Sequence, residues 1–167
     1  MNILELIHQS GFVYNDLKPD NILIGYGEKI LDQIEGSSPS QNIFEDCTIN
    51  LIDFGLASKW RDSSTGAHRK QTQQNTFHGN LYFSSLDQLR SKTTSRRDDL
   101  IGLFNLLHYL LSNGNFDWID HLNHQEHSQK EANDLEAKLH IAQKAKLSKS
   151  LTEMCTGRAM VLERFSR

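Results

Sequence analysis

The chain has 167 residues, 37% hydrophobic and 23% charged, with 18 Lys and Arg against 21 Asp and Glu. That is the size of one domain or of part of a larger one, with enough apolar residue for a core. A net charge of −3 is too small and too evenly mixed to mark a nucleic-acid binder or a ligand of anionic membranes. No apolar run approaches the roughly 20 residues that a membrane helix needs. Cys47 and Cys155 are the two cysteines, with no spacing motif, which points to a reducing, intracellular setting, cytoplasmic or nuclear. The opening MNILELIHQSGF lacks a basic leader before a long apolar stretch, so no signal peptide is evident.

Residues 2–9 read as the last turns of an amphipathic helix, with Ile3, Leu4, Leu6 and Ile7 apolar and Gly11 as a stop. A domain that opens on the tail of a helix is expected to have something before it. Residues 10–21 read as a loop. NILI (21–24) and TINLI (48–52) read as short strands, rich in β-branched residues and expected to pair antiparallel. Between them an insertion spans 25–47, with a Gly/Ser/Pro cluster at 36–40 that fits a surface excursion. Residues 56–84 are polar and short of core residues, so an extended mobile loop is expected, and 84–90 fit a short helix. Residues 98–112, DDLIGLFNLLHYLLS, give the strongest helix signal. They are apolar nearly all round, which predicts a central buried helix. Residues 125–147 read as one or two surface helices, and LTEMCTGRAMVLERF (151–165) has helix-like apolar spacing. There is no internal repeat.

The chemistry-bearing residues gather around VYNDLKPDNIL (13–23). A polar loop held between two apolar runs is anchored, and an anchored loop is a good place for chemistry. Asp16, Lys18 and Asn21 precede one strand, and Asp53 follows its expected partner. A hairpin brings Asp16, Asn21 and Asp53 to one end of a small sheet. Asn and Asp oxygens suit Mg²⁺, which takes one or two carboxylates plus phosphates. A nearby Lys neutralises phosphate oxygens, and an Asp free of metal orients a hydroxyl nucleophile. Together these are the parts for phosphoryl transfer.

These residues resemble those of protein kinases: D16-L-K-P-D-N21 resembles the catalytic loop, and D53-F-G the metal-binding motif. The casein kinase 1 family is the nearer likeness, through GFVYNDLKPDNILIG, LIDFGLASKWRD, SRRDDL before a long apolar helix, and GNFDW after it. GNLYFSSLDQL stands where other kinases carry an APE motif. The resemblance implies an α+β, mainly α fold, the C-terminal lobe of a protein kinase with a small β hairpin and no N-terminal lobe. It makes residues 1–167 a partial kinase domain: catalytic loop 14–21, insertion 25–47, DFG 53–55, activation loop 56–84 and central helix 98–112. It implies Asp16 as catalytic base, Lys18 as a catalytic residue contacting the ATP γ-phosphate, Asn21 and Asp53 as Mg²⁺ ligands, and Asp99 as acceptor of catalytic-loop N–H groups. The substrates implied are protein Ser and Thr hydroxyls, with no nucleic acid and no membrane.

Departures qualify the likeness. The usual H-R-D is Y14-N15-D16, so Tyr14 is expected to pack on Phe54, while Asn15 lacks the charge to clamp a phosphorylated loop. Asn80 replaces a Thr, which is expected to loosen a hydrogen bond to Asp16 and Lys18. Tyr82 replaces an Arg that holds phosphate on primed substrates, so a preference for such substrates is not expected. The sequence carries no Gly-rich loop and no V-A-I-K lysine, so the chain alone is expected to turn over negligibly. The alternative is a pseudokinase-like protein-interaction module, and a remoter one is a small-molecule kinase. His121, His124 and His127 read as a solvated stretch rather than a zinc site. Arg96 and Arg97 divide between contacting acidic substrates and a plain solvated helix entry. Trp60 and Trp118 read as packing residues.

Overall fold

A computed structural model describes residues 3–26, 47–114 and 135–147. Helix α1 (Ile3–Gln9) buries Leu4 against Tyr14 and Leu17. It stops at Gly11, whose φ of +90° suits a residue without a side chain and whose N–H returns to His8 O at 3.0 Å. Strand β1 (Phe12–Val13) leads to the polar loop and a 3₁₀ turn at Pro19–Asn21. Strand β2 (Ile22–Tyr26) pairs antiparallel with β3 (Cys47–Leu51), from Ile22↔Leu51 to Tyr26↔Cys47. The expected hairpin is therefore present, each strand reaching one or two residues into the range assigned to the insertion. Strand β4 (Ser58–Lys59) returns to pair with β1. Such two-residue strands are too short to leave a periodic signature in sequence.

Helix α2 (Leu86–Leu89) is capped by Ser85, whose hydroxyl accepts the Gln88 N–H at 3.1 Å. Helix α3 (Arg96–Leu111) begins two residues earlier than expected, because Asp98 reaches back to Ser95 N at 2.8 Å and fixes the first turn there. Helix α4 (Leu135–Leu147) buries Ala142 beside Leu89, and Ala145 beside Phe83 and Leu106. The described elements are thus α+β and mainly helical. The inner part of the insertion, Trp118, His121, His124, His127, Cys155 and the last segment lie outside the described residues. Among those described, no helix is long and apolar enough to cross a membrane.

One expectation is corrected. Helix α3 is not buried all round: Leu100, Leu107 and Leu110 are 53%, 49% and 55% exposed. Its buried side carries Asp98, Asp99, Gly102, Asn105, Leu106 and His108. The helix turns its polar and small residues inward because loops need acceptors and donors there: Ser85 Oγ donates to Asp98 at 2.6 Å, and Asn105 Nδ2 to Phe83 O at 2.8 Å. Gly102 lets Leu17 and the Phe83 backbone lie close against the helix. The loop after DFG is also more tied down than its composition predicts. Its polar groups are used: Thr93 N bonds Thr72 O, Gln74 N bonds Ser91 O, and Arg61 bridges His68.

Two predictions follow from this packing. Leu106→Ala, in the Phe83–Leu106–Ala145 cluster, lowers stability by about 2–5 kcal/mol in urea unfolding, whereas exposed Leu107→Ala changes it by less than about 0.5 kcal/mol. Asp87 holds Lys92 at 2.8 Å and Arg97 at 2.6 Å. The Lys92 hydrogen bond, followed by that of Gln71, lowers its carboxyl pKa to about 2. Its contribution is complete above the ordinary carboxylate range and is lost as pH falls through about 2. Asp87→Asn therefore costs up to about 1 kcal/mol near neutral pH, and the difference from the parent closes in the same titration at about pH 2.

Candidate functional site

The polar loop is fixed from below by one carboxylate. Asp99, 3% exposed in the first turn of α3, accepts Tyr14 N on Oδ2 at 2.8 Å and Asn15 N on Oδ1 at 2.8 Å. His8 Nε2 also meets Oδ2, at 2.7 Å. The acceptor role expected of Asp99 is therefore present, and α1 is tied to the same atom. Nothing in the spacing of α1 singles out His8, which on sequence alone is one more polar residue near a helix end. Asn15 sits at φ +70°, a left-handed conformation that Asn tolerates better than most residues. Its carbonyl accepts Gln88 Nε2 at 2.7 Å, and the same amide donates to His78 O at 2.8 Å. That amide passes so close to Gly79 that a Cβ there would lie 2.4 Å from it.

Tyr14 is fully buried and meets Phe54 edge-on at 5.3 Å, as expected from sequence. Its hydroxyl donates to Ile52 O at 2.5 Å. Burial, the largest of several causes, pushes the phenol up to about 12, so it remains a neutral donor. One side chain thus binds the polar loop to the segment just before Asp53.

Above this floor the candidate residues meet. Asp16, 3% exposed, receives Asn21 Nδ2 and Lys18 Nζ on Oδ2, both at 2.9 Å, and Asn80 Nδ2 on Oδ1 at 3.1 Å. The bond to Asp16 holds the Lys18 ammonium above its usual range, so it stays charged at neutral pH. Asn80 also donates to Leu17 O and accepts Phe83 N at 2.7 Å. The expected loosening at Asn80 does not extend to Asp16. The amide bonds it directly, because its two N–H groups reach two acceptors where a hydroxyl has one hydrogen to give.

Asn21 closes the 3₁₀ turn, and its carbonyl accepts Ile52 N at 3.0 Å. This bond continues the β2–β3 ladder past Ile22↔Leu51 and sets Asn21 beside the residue before Asp53. Asp53 takes φ +57°, is exposed, and accepts Gly55 N on Oδ1 at 3.1 Å. Its charge is among those that raise Lys18. An Asn and an exposed Asp at one sheet end are the hard oxygen donors that Mg²⁺ takes when phosphates complete its shell. Among the described residues, no three His, Cys, Asp or Glu side chains group for a metal.

Comparison with known proteins bears on this arrangement. The family described as Protein kinase domain matches residues 1–161. "Casein kinase 1-like protein HD16" of Oryza sativa subsp. japonica is 36% identical over 119 residues, 71% of this chain and 15% of that protein. "Casein kinase I homolog 2" of Schizosaccharomyces pombe is 30% identical over 154 residues, 92% of this chain and 30% of its own length. "Casein kinase I homolog 3" of the same organism is 30% identical over 115 residues, 69% of this chain and 23% of its own. The chain spans less than a third of each of these relatives.

The floor of the site is testable by itself. Asp99→Ala leaves two buried N–H groups without acceptors and costs about 3–5 kcal/mol in chemical denaturation. Asp99→Asn, which keeps one acceptor oxygen, costs less.

Proposed function

The chain belongs to the protein kinase family and is casein kinase 1-like, and from that premise we propose that it serves transfer of the ATP γ-phosphate to Ser or Thr hydroxyls of protein substrates. The observation that carries the proposal is the shared hydrogen bonding of Asp16, Lys18 and Asn21 at the end of the hairpin that leads to Asp53. In this reading Asp16 is the base. Its Oδ2 already has two donors, while Oδ1 has only Asn80. Oδ1 therefore keeps a lone pair for the incoming hydroxyl and receives its proton. Lys18 steadies the transferred group. Asn21 and Asp53 hold magnesium, which when bound neutralises charge on the phosphate oxygens.

The reading takes the chain as the C-terminal lobe of the kinase fold. The 167 residues include no Gly-rich loop or V-A-I-K lysine, so little turnover is proposed for the chain alone. Loss of one preorganised donor already costs about 10²–10³ in rate. The activation segment needs no phosphate here. Asn15 Nδ2 donates to Leu56 O at 2.8 Å and to Ser58 Oγ at 2.9 Å, joining the segment to the catalytic loop by neutral bonds. Tyr82 offers no cation for a primed substrate. The cysteine pattern fits an intracellular setting. A second reading, a partner-binding module, draws on the apolar residues exposed along α3, Leu100, Leu107 and Leu111.

The test is phosphotransfer to casein by a longer polypeptide that joins this chain to an N-terminal kinase lobe. Asp16→Asn is expected to lower the rate at least about 100-fold, and unchanged activity would remove Asp16 from its role. Thr72→Glu and Thr76→Glu are expected to leave the rate within about twofold, because Asn15 has no charge with which to receive them. A large rise in either variant contradicts that expectation.

A further inference from the structure

Gln88 closes a circuit that holds the residue before Asp16. It lies in α2 and is 4% exposed. Its amide has two hydrogens to give, and both are used: Nε2 donates to Asn15 O at 2.7 Å and to His78 O at 2.8 Å. The residue is itself anchored. Gln88 N donates to Ser85 Oγ at 3.1 Å, and that hydroxyl donates to Asp98 Oδ1 at 2.6 Å. The next residue along α3, Asp99, holds Asn15 N at 2.8 Å. Asp98, Ser85, Gln88, Asn15 and Asp99 therefore form a closed loop of bonds.

Each of the two carbonyls belongs to a peptide plane whose direction matters for Asp16. A peptide unit is rigid, so fixing its oxygen fixes the nitrogen that follows. The plane bearing Asn15 O carries the nitrogen of Asp16. With Asp99 on the N–H and Gln88 on the C=O, both planes flanking the Asn15 Cα are set. That holds the left-handed φ of +70°, which costs energy and persists only where the surroundings impose it. The plane bearing His78 O carries the nitrogen of Gly79, whose φ is +140°. Asn80 follows, and its amide reaches Asp16 Oδ1 and Leu17 O, each at 3.1 Å. A Cβ on Gly79 would lie 2.4 Å from Gln88 Nε2 and 2.6 Å from Ser84 Oγ, so the glycine makes room for the Gln88 amide. Separate donors would satisfy the two carbonyls equally well. One amide serving both locks the backbone of Asp16 to the segment whose side chain bonds its Oδ1.

We propose that Gln88 is a positioning residue for Asp16, acting through the backbone of Asn15 and the side chain of Asn80. It sets the direction in which Oδ1 faces an incoming hydroxyl. The proposal rests on the phosphotransfer reading given above and adds to it a residue outside the polar loop and the hairpin.

Two measurements test it. The first is side-chain amide exchange by NMR in the full chain. The Gln88 and Asn80 NH₂ protons are expected to exchange at least about tenfold more slowly than those of exposed Asn75. In Gln88→Met, which is of similar length and lacks both donors, the Asn80 protons are expected to exchange faster while the Leu106 backbone amide stays protected. Fast Gln88 exchange in the parent, or Asn80 exchange unaltered by Gln88→Met, overturns the proposal. Loss of Leu106 protection in that variant would make Gln88 a general stabilising residue and overturn it too. The second measurement uses the longer polypeptide joined to an N-terminal kinase lobe. There Gln88→Met is expected to lower kcat for casein about tenfold or more, with KM for ATP and casein within about twofold. Because the two residues share a route to Asp16, Gln88→Met and Asn80→Ala together are expected to lose less than the product of their separate losses. A lower Tm with unchanged kcat, or losses that multiply, overturns the proposal. Equal rates for the parent and Asp16→Asn would instead count against the phosphotransfer reading, and the exchange measurement then still decides whether Gln88 places Asn80 at Asp16.

Discussion

The Asp99 carboxylate gathers three elements that are far apart in sequence. Its two oxygens hold the backbone of Tyr14 and Asn15 and the ring of His8, so α1, the polar loop and α3 share one buried anion. Everything above it inherits that position. Tyr14 can reach Ile52 O and Phe54 only because its own backbone is fixed, and Asp16 follows two residues later. The first turn of α3 favours the charge through its dipole, and the N–H groups satisfy it. A buried carboxylate that would otherwise be costly becomes the floor of the site.

Neutral amides carry much of the remaining architecture. Asn15 ties the polar loop to Leu56 and Ser58, Asn80 ties Asp16 and Leu17 to Phe83, and Gln88 ties Asn15 O to His78 O. Each bridges two segments with bonds that do not depend on a phosphate or on salt concentration. A charged clamp would be stronger when its partner is phosphorylated and a liability when it is not. The amide arrangement removes that dependence, which fits a segment whose path is set by the polypeptide itself. Left-handed backbone at Asn15 and Asp53 places local strain at the two ends of the proposed chemistry, where the surrounding bonds hold it in place.

Much of this was legible in the sequence, for identifiable reasons. The β2–β3 hairpin and the helix stopped at Gly11 follow from patterns that local physics enforces, β-branched runs and a C-terminal glycine, whereas the Asp99 link was expected only from the resemblance to protein kinases. The 1–2 residue shifts at element ends reflect caps such as Ser95–Asp98 that act across the boundary. The burial of α3 was misjudged because apolar content does not tell which side of a helix faces the core. Here Asp98, Asp99, Asn105 and His108 lie inside while Leu100 and Leu110 lie outside, since loop backbones needed polar partners. His8 and Gln88 were not foreseen at all, because their roles arise from contacts 91 and 73 residues away. The Arg96 guanidinium, 3.8 Å over the Trp60 ring, likewise joins residues 36 apart along the chain, beyond the reach of any periodicity.

The account rests on the Asp99 bonds being part of the most stable structure in the protein rather than a surface detail. Amide hydrogen exchange by NMR measures this directly. The Tyr14 and Asn15 amides are predicted to exchange only through global unfolding, as slowly as the amide of buried Leu106. Exchange of these two amides at rates typical of the exposed turn at 63–66, while Leu106 stays protected, would contradict the account.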